Sequence, residues 1–129
     1  MNDRIGEIQR DVISLGAMIN LPQDFLVIKT KPSSDGVPFL TCQDNFFVYS
    51  SIERDYEIFK KITSSEDDVL YWVLSRAVSK MVLDLNYSEF GNSEKSEEEM
   101  FARKVDLMKR LNPAWGPRAA HEYRSGMGY

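Results

Sequence analysis

The chain has one cysteine and one histidine in 129 residues, and these two scarcities remove several function classes at once. Cys42 has no second cysteine with which to close an internal disulfide, so the fold must be held by its core rather than by covalent staples. Its setting, PFLTC, reads as a strand, and a buried thiol is expected there rather than a nucleophile. His121 stands alone among scattered acids, without the ligand spacing that zinc or calcium sites need. No apolar run approaches the roughly 18 residues of a membrane span. The opening MNDRIGEIQRD alternates charged with apolar residues and lacks the continuous apolar segment of a signal peptide, so cytoplasmic residence is expected. The seven glycines form no phosphate-binding loop, and GNSEKS does not supply one. Basic residues are also in deficit, 16 against 20 acids for a net charge of −4. That balance disfavours nucleic-acid binding through the overall field of the protein.

What is present is an ordinary globular composition, 43% hydrophobic and 28% charged, at a length that suits one domain over residues 1–129. Ile5, Ile8, Val12, Leu15 and Ile19 recur at three- and four-residue steps, which predicts a helix over 3–19. Asn2 or Asp3 can cap it, and Leu21–Pro22 ends it. The period then changes. FLVIKTK (25–31), VPFLTC (37–42) and FFVYSS (46–51) read as strands, with KPSSDG and QDN as reversals and Gly36 free to take positive φ. YEIFKKI (56–62) alternates imperfectly, through Tyr56, Ile58 or Phe59, and Ile62, and would be the fourth. Links this short cannot carry parallel crossovers, so the meander should be antiparallel, with three or four strands.

From Ser64 the helical period returns. SSEDD offers Ser64 or Ser65 with an acid three residues on, a capping box. Val69, Leu70, Val73, Leu74, Ala77, Met81, Val82 and Leu85 then form a broad apolar face that should cover the sheet over 67–86. A loop around Gly91 follows. Ser96 with Glu99 repeats the capping signature ahead of a helix bearing Met100, Phe101, Val105, Met108 and Leu111. Asn112 and Pro113 suit the N-cap and first position of a last helix, which Gly126 stops. The predicted class is α+β: an N-terminal helix, an antiparallel three- or four-stranded sheet, then three helices.

No catalytic constellation emerges. His121 and Glu122 are adjacent, so on a helix they point about 100° apart and cannot pair directly. Arg118 and Glu122 have the spacing of an ordinary surface ion pair. Trp72 reads as a core side chain. ERD (53–55) reads as a solvent-facing turn, the alternative being an Arg54 that reaches a helix carboxylate. Trp115 can either lock the corner before the last helix or face a partner. We expect it to plug the fold, with Arg118 held by a carboxylate from Glu122 or Glu53.

Two segments carry a resemblance, FFVYSSIERDYEIFKKITSSEDDVLYWVLSRAVSKMV and FARKVDLMKRLNPAWGPRAAHEY. Together they resemble the immunity protein 63 family of bacterial polymorphic toxin systems. Glu53, Arg54, Leu70, Tyr71, Phe101, Leu107, Leu111, Pro113, Trp115, Arg118 and Glu122 fall on its defining positions. EKSEEEM departs from the acid and arginines the family usually carries ahead of the Phe101 helix, and SGMGY replaces its usual tail. The resemblance implies a non-catalytic cytoplasmic antidote, without metal or cofactor, that occludes a cognate toxin domain stoichiometrically. Glu53, Arg54, Tyr71, Trp115, Arg118 and Glu122 would be its structural or partner-binding signature. No membrane and no direct nucleic-acid contact are implied, and the chain would be a monomer or weak homodimer. Many such toxins are nucleases with basic surfaces. Residues 84–99, with six acids against one lysine, would complement such a surface. The competing reading is a small nucleic-acid-associated regulator using the basic C-terminal region: Lys104, Lys109, Arg110, Arg118 and Arg124.

Overall fold

The first helix, α1 (Arg4–Ala17), turns Ile8 and Val12 fully inward. The computed structural model describes residues 3–89 and 94–126, and side chains outside 86–96. After α1 the chain leaves through Asn20, in the left-handed region at φ 58°, with Leu21 N–H returning to Gly16 O at 3.0 Å. A Cβ on Gly16 would meet Leu26 Cδ1 at 2.6 Å, so this helix end and the short 3₁₀ turn Gln23–Leu26 pack so closely that a larger residue would have to displace the Leu26 side chain.

The predicted first strand does not form. Residues 25–26 complete the 3₁₀ turn, Val27 is exposed, and only Lys29 makes an isolated parallel bridge, to Phe39. The reason lies in α1. Gln9 Nε2 donates to Leu26 O at 2.7 Å, and Gln9 Oε1 accepts from Ile28 N–H at 2.8 Å. One helix side chain supplies the backbone partners that a sheet would otherwise provide.

The sheet has three antiparallel strands in the order β1 (Phe39–Gln43), β2 (Phe46–Glu53) and β3 (Tyr56–Thr63). YEIFKKI is therefore the third strand, at the edge. Its broken alternation has a cause: the β2–β3 register shifts between Ser51 and Ile52, a β-bulge that leaves Ile58 unpaired. Gly36 takes φ 81°, as its turn requires. Cys42 is half-buried rather than fully buried.

Ser65 Oγ accepts from Asp68 N–H at 3.2 Å and opens α2 (Glu66–Glu89). This helix is buried on more than the single stripe its periodicity implies. Tyr71 and Val78 are inside with Val69, Val73, Leu74, Ala77 and Val82, because α1, the sheet and α3 surround it. Leu85, assigned to that stripe, is 46% exposed at the far end. α3 (Glu94–Leu111) begins two residues before Ser96, so Ser96 is not its N-cap; Gly91 lies outside the described residues. The last helix, α4 (Trp115–Arg124), starts later than predicted. Asn112 still closes the corner, accepting Ala114 N–H on its side chain and Trp115 N–H on its carbonyl, both at 2.9 Å, and Gly126 at φ 73° ends the helix.

A single cluster of buried side chains runs from Ile8 and Val12 through Leu40, Phe47 and Tyr49 to Leu74, Met108, Leu111, Trp115 and Ala119. Trp72 is half-buried at its margin, stacked 6.1 Å from Tyr49. Among the described residues, no helix is long and apolar enough to cross a membrane.

Candidate functional site

The signature residues divide into two groups. Tyr71, Trp115, Arg118 and Glu122 converge where α4 meets α2, while Glu53 and Arg54 stand exposed at the β2–β3 turn.

At the helix junction, Trp115 is 2% exposed and meets Tyr71 edge-on, with centroids 5.8 Å apart and planes at 75°. Its indole N–H points to Asp67 Oδ2 at 3.5 Å. One turn on, the Arg118 guanidinium lies 4.0 Å from the centre of the Tyr71 ring. Its Nη1 donates to Asp68 Oδ1 at 2.9 Å. The expected carboxylate for Arg118 was Glu122 or Glu53, and it is neither. Asp68 is committed on both oxygens, since Oδ2 accepts from the Thr63 hydroxyl at 2.8 Å. Glu122 turns instead to the Tyr71 hydroxyl, which donates to Oε1 at 2.5 Å. Burial first, then the Glu122 carboxylate, holds that hydroxyl protonated well above the usual phenol range. The arrangement joins the start of α2, the end of β3 and one side of α4 through bonds internal to the fold. Sequence spacing could not find Asp68, which sits 50 residues from Arg118. Its only local trace is the acid of the capping box.

Of the five basic C-terminal residues, Lys109 and Arg124 are exposed and the other three are engaged or half-buried. Arg118 is held by Asp68, and Arg110 pairs with Asp106 at 3.0 Å. Lys104 is half-buried. Burial lowers its ammonium to about 8, the neighbouring Lys61 adds to that, and the Glu122 carboxylate opposes it. The folded pKa therefore lies below that of the unfolded chain. The burial penalty is in force at pH 7 and is lifted as pH rises from about 8 towards the ordinary lysine value. Lys104→Met should abolish this contribution: the wild-type urea midpoint gains between pH 7 and 9.5 relative to the variant. Equal changes in the two proteins over that interval rule the effect out.

His121 is exposed on α4, and its carbonyl accepts from Ser125. Among the described residues, no group of three His, Cys, Asp or Glu side chains is placed to hold a metal ion.

At the other end, Arg54 adopts φ 58° in the β2–β3 turn, and its N–H donates to Ser34 O at 2.8 Å. The backbone of this turn is thus fastened to the 31–38 segment, while the Glu53 and Arg54 side chains face solvent. Tyr56 beside them is 78% exposed.

No curated protein and no solved structure matches the chain. Residues 43–125, from the end of β1 to the end of α4, match the family described as Immunity protein 63. The match takes in both the α2–α4 junction and the β2–β3 turn, and on that extent the chain belongs to the Immunity protein 63 family.

Proposed function

We propose that this protein neutralises a cognate bacterial toxin by binding it stoichiometrically in the cytoplasm and covering the surface with which it acts. The observation that carries this reading is the family match over 43–125. The reading involves no catalysis by the immunity protein itself. In its support, His121 is exposed and the acidic and basic groups near it are engaged elsewhere: Glu122 by Tyr71, and Arg118 by Asp68. A nuclease is the toxin class that the acidic 84–99 segment would complement, because a nuclease carries a basic substrate surface. The nucleic-acid regulator reading has less behind it, since Arg110 and Arg118 are paired with carboxylates and Lys104 is half-buried, which leaves Lys109 and Arg124 as its exposed cations.

The test is co-expression with the toxin domain encoded by the neighbouring reading frame. The chain should restore growth, and the purified partners should bind one to one by calorimetry. His121→Ala should keep affinity and protection within about threefold, since among the described residues, outside the helix's own ladder, His121 is bonded only through its carbonyl. A folded His121→Ala chain that binds the toxin but no longer protects would mean that chemistry, not occlusion, does the work.

A further inference from the structure

We infer that one side of α2, with Trp72, Arg76 and Lys80 in line and Lys61 of β3 beside them, is the surface that receives the toxin domain, and that the toxin meets it with carboxylates. The inference rests on the immunity reading above.

Helix spacing and the neighbouring sheet build this strip. Residues 72, 76 and 80 follow at four-residue steps, so they line one side of α2 over about 12 Å. Trp72 stacks on Tyr49 at 6.1 Å, and Lys80 Nζ lies 4.4 Å from the centre of the Phe25 ring. Burial raises the Tyr49 hydroxyl to about 12, and the charge of Arg76 opposes that rise. Lys61 is the register partner of Tyr49, so the two share the face of the sheet that α2 covers. Its ammonium reaches over Phe59 at 5.4 Å and Trp72 at 5.5 Å. Lys61, Arg76 and Lys80 are exposed, while Phe59, Trp72 and Phe25 are half-buried. The rings thus position the two lysines and leave their charge accessible.

Charge on the strip has one sign. Between Asp68 and Asp84, α2 carries Arg76 and Lys80 and no acid, and FKKIT (59–63) of β3 also has none. Among the described residues, Lys61, Arg76 and Lys80 form no salt bridge. Asp68, one turn before Trp72, is taken by Arg118 and Thr63. Asp84, one turn beyond Lys80, and Asp24, next to Phe25, flank the far end without pairing with it. Glu57 and Lys60, which differ in sign, stand on the opposite face of the sheet. The acidic 84–99 segment begins where the strip ends, so the toxin carries its basic part and this acidic part side by side.

The strip suits neither of two other occupants. A second copy across a two-fold axis would set it against itself, cation against cation. Bases need free rings to stack on, but Trp72 already holds Tyr49 and Lys61, and Phe25 holds Lys80. A length of about 12 Å also spans only a few phosphates, and the net charge of −4 opposes a polyanion. A folded domain that presents a few carboxylates meets no such conflict. Arginine is a residue type on which interface energy concentrates, and Arg76 sits in the middle of the strip.

The experiment titrates the full chain with a catalytically inactivated form of the neighbouring toxin domain, by calorimetry at low and high salt. Arg76→Glu should weaken binding about thirtyfold or more and Lys61→Glu about tenfold, both with wild-type urea midpoints. Arg76→Gln, which removes a charge without adding one, should weaken it about fivefold and guards against misfolding of the first variant. Added salt should weaken wild-type binding more than that of Arg76→Glu. Lys109→Glu, the same charge change at an exposed lysine of α3, should stay within about twofold. Binding that folded Arg76→Glu keeps within about threefold, or that Lys109→Glu weakens as much, overturns the docking strip and leaves the immunity reading standing. A wild-type chain that does not bind the toxin removes both. Binding of a single-stranded oligonucleotide that Arg76→Glu abolishes, with toxin binding kept, assigns the strip to nucleic acid and overturns the inference as well.

Discussion

Trp115→Ala should lower stability to urea by about 3 to 5 kcal/mol, a large share of what a domain of this size has. The indole is 2% exposed and is the largest side chain in the core. It begins α4, whose polar links to α2 include the Arg118–Asp68 pair, the Arg118 guanidinium on the Tyr71 ring and the Tyr71–Glu122 hydrogen bond. Truncation opens a cavity beside Tyr71 and removes the ring's edge contact at 5.8 Å. The polar links cannot compensate, because Arg118 and Asp68 remain 31% and 34% exposed and so are partly screened by water. With a urea slope of about 2 kcal/mol per molar, the midpoint should fall by roughly 2 M. Arg118→Ala should cost less than half as much. If Trp115→Ala moves the midpoint by less than Arg118→Ala does, the ring is not what seats α4.

Leu74→Ala should cost about 2 to 5 kcal/mol in the same measurement. Leu74 is fully buried in the middle of α2, the helix packed by α1, the sheet and α3. Alanine is a good helix former, so the loss would come from packing and the residual cavity rather than from the helix itself. Leu83→Ala on the same helix is the control. At 47% exposed, Leu83 should contribute less than about 1 kcal/mol. Equal losses at the two positions would mean that α2 is not centred on Leu74.

Much of the architecture was legible because it is written over short spans. Ser65 with Asp68 marks the start of α2, Gly126 the end of α4, and Gly36 the turn before β1, each through a bond or dihedral set by near neighbours. The three-helix finish and the antiparallel order follow from periodicity and loop length. The imperfect alternation of YEIFKKI was itself a signal, and the bulge opposite Ser51–Ile52 is its structural form. The expected strand over 25–31 failed for a reason outside that segment: Gln9, on α1, takes the backbone groups of Leu26 and Ile28.

The candidate site shows the same division. Composition and spacing placed Trp115, Arg118 and Glu122 along one side of α4, and the fold keeps them there. Partner choice did not follow from that spacing. Glu122, four residues from Arg118, bonds Tyr71, and Arg118 crosses to Asp68. On an isolated helix the pair four residues apart is the nearest opposite charge, worth a few tenths of a kcal/mol. Once α4 docks against α2, a half-buried carboxylate and the face of a tyrosine ring lie within reach, and both interact more strongly away from bulk water. Residue spacing along the chain set which side chains could share a face. Helix docking decided which of them touch, because the distances that set those energies exist only after the core has closed.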